Sequence, residues 1–221
     1  KIIDELTGVK TVAIAGHIRP DGDCIGSCMG MYLYLKENYP DIETDIYLEQ
    51  PREGFSYISH LEDIKTACTE EKIYDLFITL DASTSDRIGV AQELFRKAKR
   101  RICIDHHVSN PGFADKDIIC PQIGSASEVL YHLLEEEKIT KPIAEAIYTG
   151  MAHDTGVFRY SCTTPDTMRI AAKLMEKGID FSSIIDQSFC EKSYVQNQIL
   201  GRCLMESIQV LHGKCIVGCL R

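Results

Sequence analysis

Short apolar runs alternate along this chain with amphipathic stretches of helical length. Residues 11–15 (TVAIA), 74–80 (YDLFITL) and 101–104 (RICI) are apolar through their centres, as strands buried on both faces of a parallel sheet must be. Residues 44–49 (TDIYLE) alternate and predict another strand, and residues 117–120 (DIIC) a fifth. Between them lie helix-length stretches at 24–38, at 87–99 behind Asp86 as N-cap, and at 128–137 behind Ser125 or Ser127. Glu128 stands where a capping-box acid for Ser125 belongs. Lys141-Pro142 opens a further helix to about Ala152, with proline in its first turn. Strands and helices in this order predict an α/β fold, a mostly parallel sheet flanked by helices and joined by right-handed crossovers.

Beyond Ala152, residues 153–160 read as a turn entering a short strand, and 164–177 as a helix stopped by Gly178. Short helices follow at 181–188 and 194–205, and then a β-hairpin with strands at 207–211 and 215–220 around His212-Gly213-Lys214. The expected division is a catalytic domain at 1–190, a linker helix at 191–205, and the truncated start of a second, smaller α/β domain at 206–221. Both chain ends read as cut.

Composition narrows the class. At 221 residues and 44% hydrophobic content the chain can bury a full core. No apolar run approaches the ~20 residues needed to span a bilayer, and no signal peptide precedes Lys1, so a cytoplasmic protein without a membrane segment is expected. Twenty-four basic against 33 acidic residues leave a formal charge of −9, which disfavours a track for long duplex or single-stranded nucleic acid. A short anionic substrate remains compatible where bound cations reverse the local field. The ten cysteines show no CxxC and no repeated framework, which fits a reducing compartment. Cys24 and Cys28 fit as small apolar residues one helical turn apart. Their neighbours Gly26, Ser27 and Gly30 lower helix propensity, a cost acceptable for close helix-on-sheet packing or for an anion at the helix start.

The chemistry collects at strand ends. In an open α/β sheet ligands bind outside the carboxyl edge. His17, Asp21 and Asp23 follow the first strand, Asp81 ends the strand at 74–80, and Asp105, His106 and His107 end the next. Asp154 joins them if the helix opened by Pro142 returns to the same rim. One Asp at a strand end is ordinarily a helix cap; five acids and three imidazoles on one rim call for another reason. Unneutralised, the carboxylates would repel and raise one another's pKa values. Two divalent cations would balance Asp21, Asp23, Asp81 and Asp154. Mixed His and Asp ligation suits Mn²⁺, Co²⁺ or Fe²⁺ better than an all-oxygen Mg²⁺ site. Two ions ~3.5–4 Å apart acidify water and clamp the oxygens of an in-line displacement at phosphorus. Phosphoester hydrolysis is therefore the expected reaction, and Asp81, alone on a central strand, is the candidate bridge.

His17-x-x-Pro20-Asp21-Gly22-Asp23, Asp81, Asp105-His106-His107 and Asp154-Thr155-Gly156 resemble, in order over residues 11–160, the four motifs of the DHH phosphoesterase superfamily. Within it, GHIRPDGDCIGS, LDAS, DHHVSN and YTGMAHDTGVFRY look most like the nanoRNase group of bifunctional oligoribonucleases and 3′-phosphoadenosine 5′-phosphate phosphatases. The resemblance implies that His17, Asp21 and Asp81 hold one Mn²⁺, and Asp23, Asp81, His106 and Asp154 the other. It implies that His107 faces the scissile phosphate and that Asp105 orients an imidazole. The implied substrates are short RNA oligonucleotides or nucleoside bisphosphates, with a homodimer compatible. Such proteins carry a second domain with a glycine-rich, His-containing motif. None precedes Arg221, so this stretch is expected to keep metal binding with weakened catalysis. Family II inorganic pyrophosphatases share the ligands but look unlike residues 154–160. Cyclic- or linear-dinucleotide phosphodiesterases, single-strand exonucleases of the RecJ type and a non-catalytic metal- or nucleotide-binding module are the other readings. The remaining histidines match no motif position: His153 adjoins Asp154 but is not expected at the site, and His60, His132 and His212 are expected at the surface.

Overall fold

The computed structural model describes residues 1–69 and 71–206, and the backbone of 208–211 and 215–218. Six parallel strands form one sheet in the order β3-β2-β1-β4-β5-β6. They are β1 (Thr11–Ala15), β2 (Glu43–Tyr47), β3 (Ile64–Lys65), β4 (Leu76–Leu80), β5 (Arg101–Asp105) and β6 (Lys116–Ile119). Strand periodicity divides the apolar residues between two cores. Val12, Ile14, Ile78, Leu80, Ile102 and Ile104 face a large core shared with α1 (Gly22–Asn38), α3 (Ala126–Leu133) and α4 (Lys141–Asp154). Ala13, Ala15, Tyr47 and Phe77 face a smaller one closed by Ile88 and by Leu94 and Phe95 of α2 (Gln92–Lys97). Chain order reverses between β1 and β4, which opens a crevice at the carboxyl ends of these two strands. This is the predicted α/β architecture.

α1 is buried on every side over Gly22–Leu35, as a helix apolar all round must be. Its glycines serve helix-on-helix packing, where helix-on-sheet packing was expected: a Cβ on Gly26 would lie 2.5 Å from the Ala146 carbonyl and 2.6 Å from the Gly150 nitrogen of α4. An alanine at Gly26 would force the two helices apart, and with them the residues each delivers to the rim.

Several boundaries differ from expectation, each for a local reason. α1 starts two residues early because Asp21 is its N-cap, accepting from the Asp23 and Cys24 amides. The helix expected at 87–99 is split into a 3₁₀ segment, Ser85–Ala91, and α2, because Gly89 turns at φ 69°. Ser125 caps α3, but Glu128 turns away from the capping box to the Thr167 hydroxyl, and the helix stops at Leu133. The strand expected after Asp154 is instead a tight turn, with Gly156, Val157 and Phe158 all left-handed at φ 57°, 58° and 60°. β3, only two residues long, had no sequence signal. α5 (Pro165–Glu176) is closed by a Thr164/Thr167 capping box, and α6 (Phe181–Ile185) runs into a π-helical turn, Asp186–Cys190.

Two compact units emerge, Lys1–Phe189 and Cys190–Arg221. The second contains α7 (Tyr194–Glu206) and the antiparallel pair β7 (Ile208–Leu211) and β8 (Cys215–Gly218). The expected hairpin turn at 212–214 and the end of its last strand lie outside the described residues. Among the described residues no helix is long and apolar enough to cross a membrane.

Candidate metal centre

Every residue predicted for the site reaches one rim. His17 leaves the end of β1, and its Nδ1 bonds the Ile18 carbonyl at 2.7 Å. Nδ1 therefore carries the hydrogen and Nε2 is left facing Asp21 Oδ1 at 3.7 Å and Asp81 Oδ2 at 3.5 Å. Asp81, one residue past β4, is left-handed at φ 57°, a strained conformation for aspartate that functional turns tend to retain. Its carboxylate is 2% exposed, and Oδ1 has no hydrogen-bond partner. That orphan oxygen lies 3.6 Å from His106 Nε2 and 3.5 Å from His107 Nδ1.

His106 gathers the other half. Its Nε2 is 3.1 Å from Asp154 Oδ2, the last residue of α4, and 3.8 Å from Asp23 Oδ2. It is nonetheless without a properly aligned hydrogen bond. Asp105 sits behind the pair, fully buried. Its Oδ1 accepts from His107 Nδ1 at 2.8 Å and from the His106 amide at 2.9 Å, and its Oδ2 from Asn110 Nδ2 at 2.6 Å. The Asp105 carboxylate thus fixes the position of His107 Nδ1.

The electrostatics are those of a site short of positive charge. Burial works against a proton on His17, but Asp21 and Asp81 hold its pKa well above the ordinary imidazole value. Burial likewise opposes the cation on His106, yet Asp154, Asp81 and Asp23 raise it to about 11. Burial and the nearby Asp81 and Asp154 charges push Asp23 well above the carboxylate range. Burial also raises Asp154, with His106 opposing. Asp21, by contrast, is held down at about 2 because His17 and the Cys24 and Asp23 amides outweigh burial. The raised pKa values of His17 and His106 reflect carboxylate charge that divalent cations would balance. Imidazole nitrogens and carboxylate oxygens within 4.8 Å of one another form one group around Asp23, His106 and Asp154 and another around Asp81, His106 and His107. His17 and Asp81 close a third with the buried thiol of Cys24. Asp81 Oδ1 and His106 Nε2, both buried and without a hydrogen-bond partner, are the donor types that ligate divalent ions, so the residues fit such ions. His17, Asp21 and Asp81 would hold one, and Asp23, Asp81, His106 and Asp154 the other.

Other contacts were not foreseen. Asp23 is held by amides of α3, Asn110 by Asp105 and the Ala82 carbonyl, and the Arg87 carbonyl by the Ile18 amide at 2.7 Å. Only Asn110 had a local signal, as the polar end of the Asp105-to-Asn110 loop. His153 does reach the site region: its ring lies against Gly22, between the Asp21 and Asp23 backbones, and its Nε2 meets Ser188 Oγ at 3.0 Å. Ser188 Oγ already donates to the Ile184 carbonyl, so His153 Nε2 is the donor and Nδ1 is bare. Burial, with Arg52 nearby, lowers this imidazole to about 4, keeping it neutral. His60 and His132 are exposed, as expected, and His212 lies outside the described residues.

The chain is similar to known proteins over most of its length. The chain is 31% identical over 183 residues to the bifunctional oligoribonuclease and PAP phosphatase NrnA of Thermus thermophilus, covering 80% of this chain and 53% of that protein. It is 25% identical to the protein of the same description from Bacillus subtilis, covering 86% and 60%. The chain thus spans little more than half the length of these relatives. Among solved structures, an exopolyphosphatase-related protein from Bacteroides fragilis superposes with a TM-score of 0.87 at 26% identity, over 95% of this chain and 65% of that one. A model of the DHH family, N-terminal domain, matches residues 11–151, from the first residue of β1 to within three residues of Asp154, and the chain belongs to the DHH family of phosphoesterases.

Proposed function

We propose that this chain carries the catalytic domain of a Mn²⁺-dependent phosphoesterase that cuts short RNA oligonucleotides to mononucleotides and removes the 3′-phosphate of 3′-phosphoadenosine 5′-phosphate. The observation that carries the reading is the sharing of Asp81: its two oxygens face His17 on one side and His106 and His107 on the other. A carboxylate so placed suits a bridge between two ions. Such ions, when bound, acidify water and neutralise charge developing on a phosphoryl group. The chain's own residues do the rest. Asp105 fixes His107 through Nδ1 and raises its pKa above the ordinary value, against the effect of burial, so that Nε2 keeps a proton for the departing ribose oxygen. Asn110 holds Asp105 from behind. Residues from Cys190 onward are read as the approach to a substrate-binding domain, the part of the relatives' length this chain does not span.

The descriptions of the two NrnA relatives support the substrate classes. The test is Asp81→Ala assayed with Mn²⁺ on a dinucleotide and on 3′-phosphoadenosine 5′-phosphate. Loss of both activities is expected. Hydrolysis surviving the substitution would remove Asp81 from the mechanism, and turnover of pyrophosphate or a cyclic dinucleotide in preference to both would replace the substrate assignment.

A further inference from the structure

Asp23 leaves the first turn of α1, yet what holds its carboxylate lies 103 and 104 residues further along the chain. Its Oδ2 accepts from the Ala126 amide at 2.6 Å and its Oδ1 from the Ser127 amide at 2.9 Å, so the side chain plugs the open N-terminus of α3. Beside these bonds the Ser127 hydroxyl is fully buried and has no hydrogen-bond partner. Burying an unpaired hydroxyl is unfavourable, so a place that keeps one calls for a reason. The backbone makes room for it: a Cβ on Gly150 would lie 1.9 Å from Ser127 Oγ and 2.6 Å from Asp23 Oδ1. The two oxygens therefore crowd the same α-carbon, and only glycine at 150 allows both.

We propose that Ser127 is a positioning residue for one ion of the pair, its hydroxyl completing the cradle that fixes Asp23 toward His106 and Asp154. The inference rests on the metal-pair reading above. With both oxygens tethered, the carboxylate cannot swing to chelate through both, and it offers one lone pair on the side where His106 Nε2 lies 3.8 Å away. Neighbouring serines are already committed. Ser125 Oγ accepts from the Glu128 amide, and Ser27 Oγ donates to the Asp23 carbonyl. Only Ser127 has a hydroxyl to give the carboxylate.

The test titrates the 221-residue chain with Mn²⁺ alone by calorimetry, and with Co²⁺ alone by visible absorption, for wild type, Ser127→Ala, Ser127→Cys and Ser27→Ala. Removing a group that orients a metal ligand typically weakens metal affinity about 10–100-fold. Ser127→Ala is expected to weaken one of the two ions by that factor and leave the other unchanged. Ser127→Cys, which keeps a weak donor of similar size, should recover part of the loss. Ser27→Ala removes an equally buried hydroxyl bonded to backbone and should leave both ions unchanged. Equal weakening at both sites, unchanged binding in Ser127→Ala, or a Ser27→Ala effect of the same kind overturns the proposal. A wild-type chain that binds no metal pair overturns the underlying reading instead.

Discussion

Gly22→Ala tests how the rim is assembled. Gly22 separates the two aspartates of the first motif, and a Cβ there would lie 2.0 Å from His153 Cγ and 2.4 Å from its Cδ2 and Nδ1. These ring atoms clear the new methyl only if His153 turns about χ1, which its neighbours oppose. The ring is also wedged, 5.4 Å from Phe55 and 5.3 Å from Phe189 centroid to centroid, with Nε2 bonded to Ser188. Overpacking of this kind costs about 1–3 kcal/mol, a fall of roughly 2–12 °C in Tm for a domain of this size. Asp21 and Asp23 flank the displaced residue and Asp154 follows His153, so the clash reaches three carboxylates of the rim at once. A shift near 1 Å there is worth about a hundredfold in rate. The assay is a double-mutant cycle with His153→Ala, read by urea denaturation in chelator and by dinucleotide hydrolysis with Mn²⁺. Removing the ring should relieve the clash, making the double variant more stable than the two single losses combined. Purely additive losses, or a neutral Gly22→Ala, would refute the reasoning.

Four further outcomes are expected. Asp105→Asn removes the main cause of the raised His107 pKa; the alkaline limb of kcat/KM should move to lower pH, checked by pH–rate profiles and imidazole NMR titration, and kcat should fall about 10–100-fold. His17 and His106 carry protons at neutral pH in the metal-free chain, because their neighbouring aspartates outweigh burial; metal uptake should therefore release protons and tighten with pH, as calorimetry in buffers of different ionisation enthalpy would record. For metal-free stability the sign is opposite: His106, raised when folded, contributes fully below its unfolded value of ~6.5, and that contribution is lost as pH rises toward about 11, so denaturation in chelator should become easier through the alkaline range. Thr164→Ala removes the N-cap of α5, whose Oγ1 accepts from the Thr167 amide at 3.1 Å, and should cost about 0.5–2 kcal/mol by urea denaturation without altering metal affinity.

What the sequence made legible was whatever is encoded by period and position. β1, β4 and β5 are continuous apolar runs, and the carboxylates and imidazoles at their ends fall together because a parallel sheet puts all such ends on one rim. Asp154 could be placed on that rim only by resemblance, since nothing local says where the far end of α4 lands. The strand expected after it failed because Val157 and Phe158, both good strand formers, follow Gly156 into the left-handed region and join a turn. Gly89 broke a helix whose apolar pattern ran straight through it. The cradle around Asp23 was invisible for a different reason: its donors are backbone amides of α3, and amides have no residue identity to read.

The six residues proposed as metal ligands span His17 to Asp154, and crossovers separate the strands that carry them. No two of the four motifs are brought together by local structure. An ion therefore finds at most two of its proposed ligands, His17 and Asp21, on one local turn, and its full set only once non-local strand pairing and the docking of α4 are complete. On the metal-pair reading, bound ions would act on the finished molecule by mass action, drawing the equilibrium further toward the native state as their free concentration rises. A newly made chain is then most exposed to proteolysis in the interval between closing the sheet and first loading. Its abundance in a cell would follow metal supply as well as synthesis.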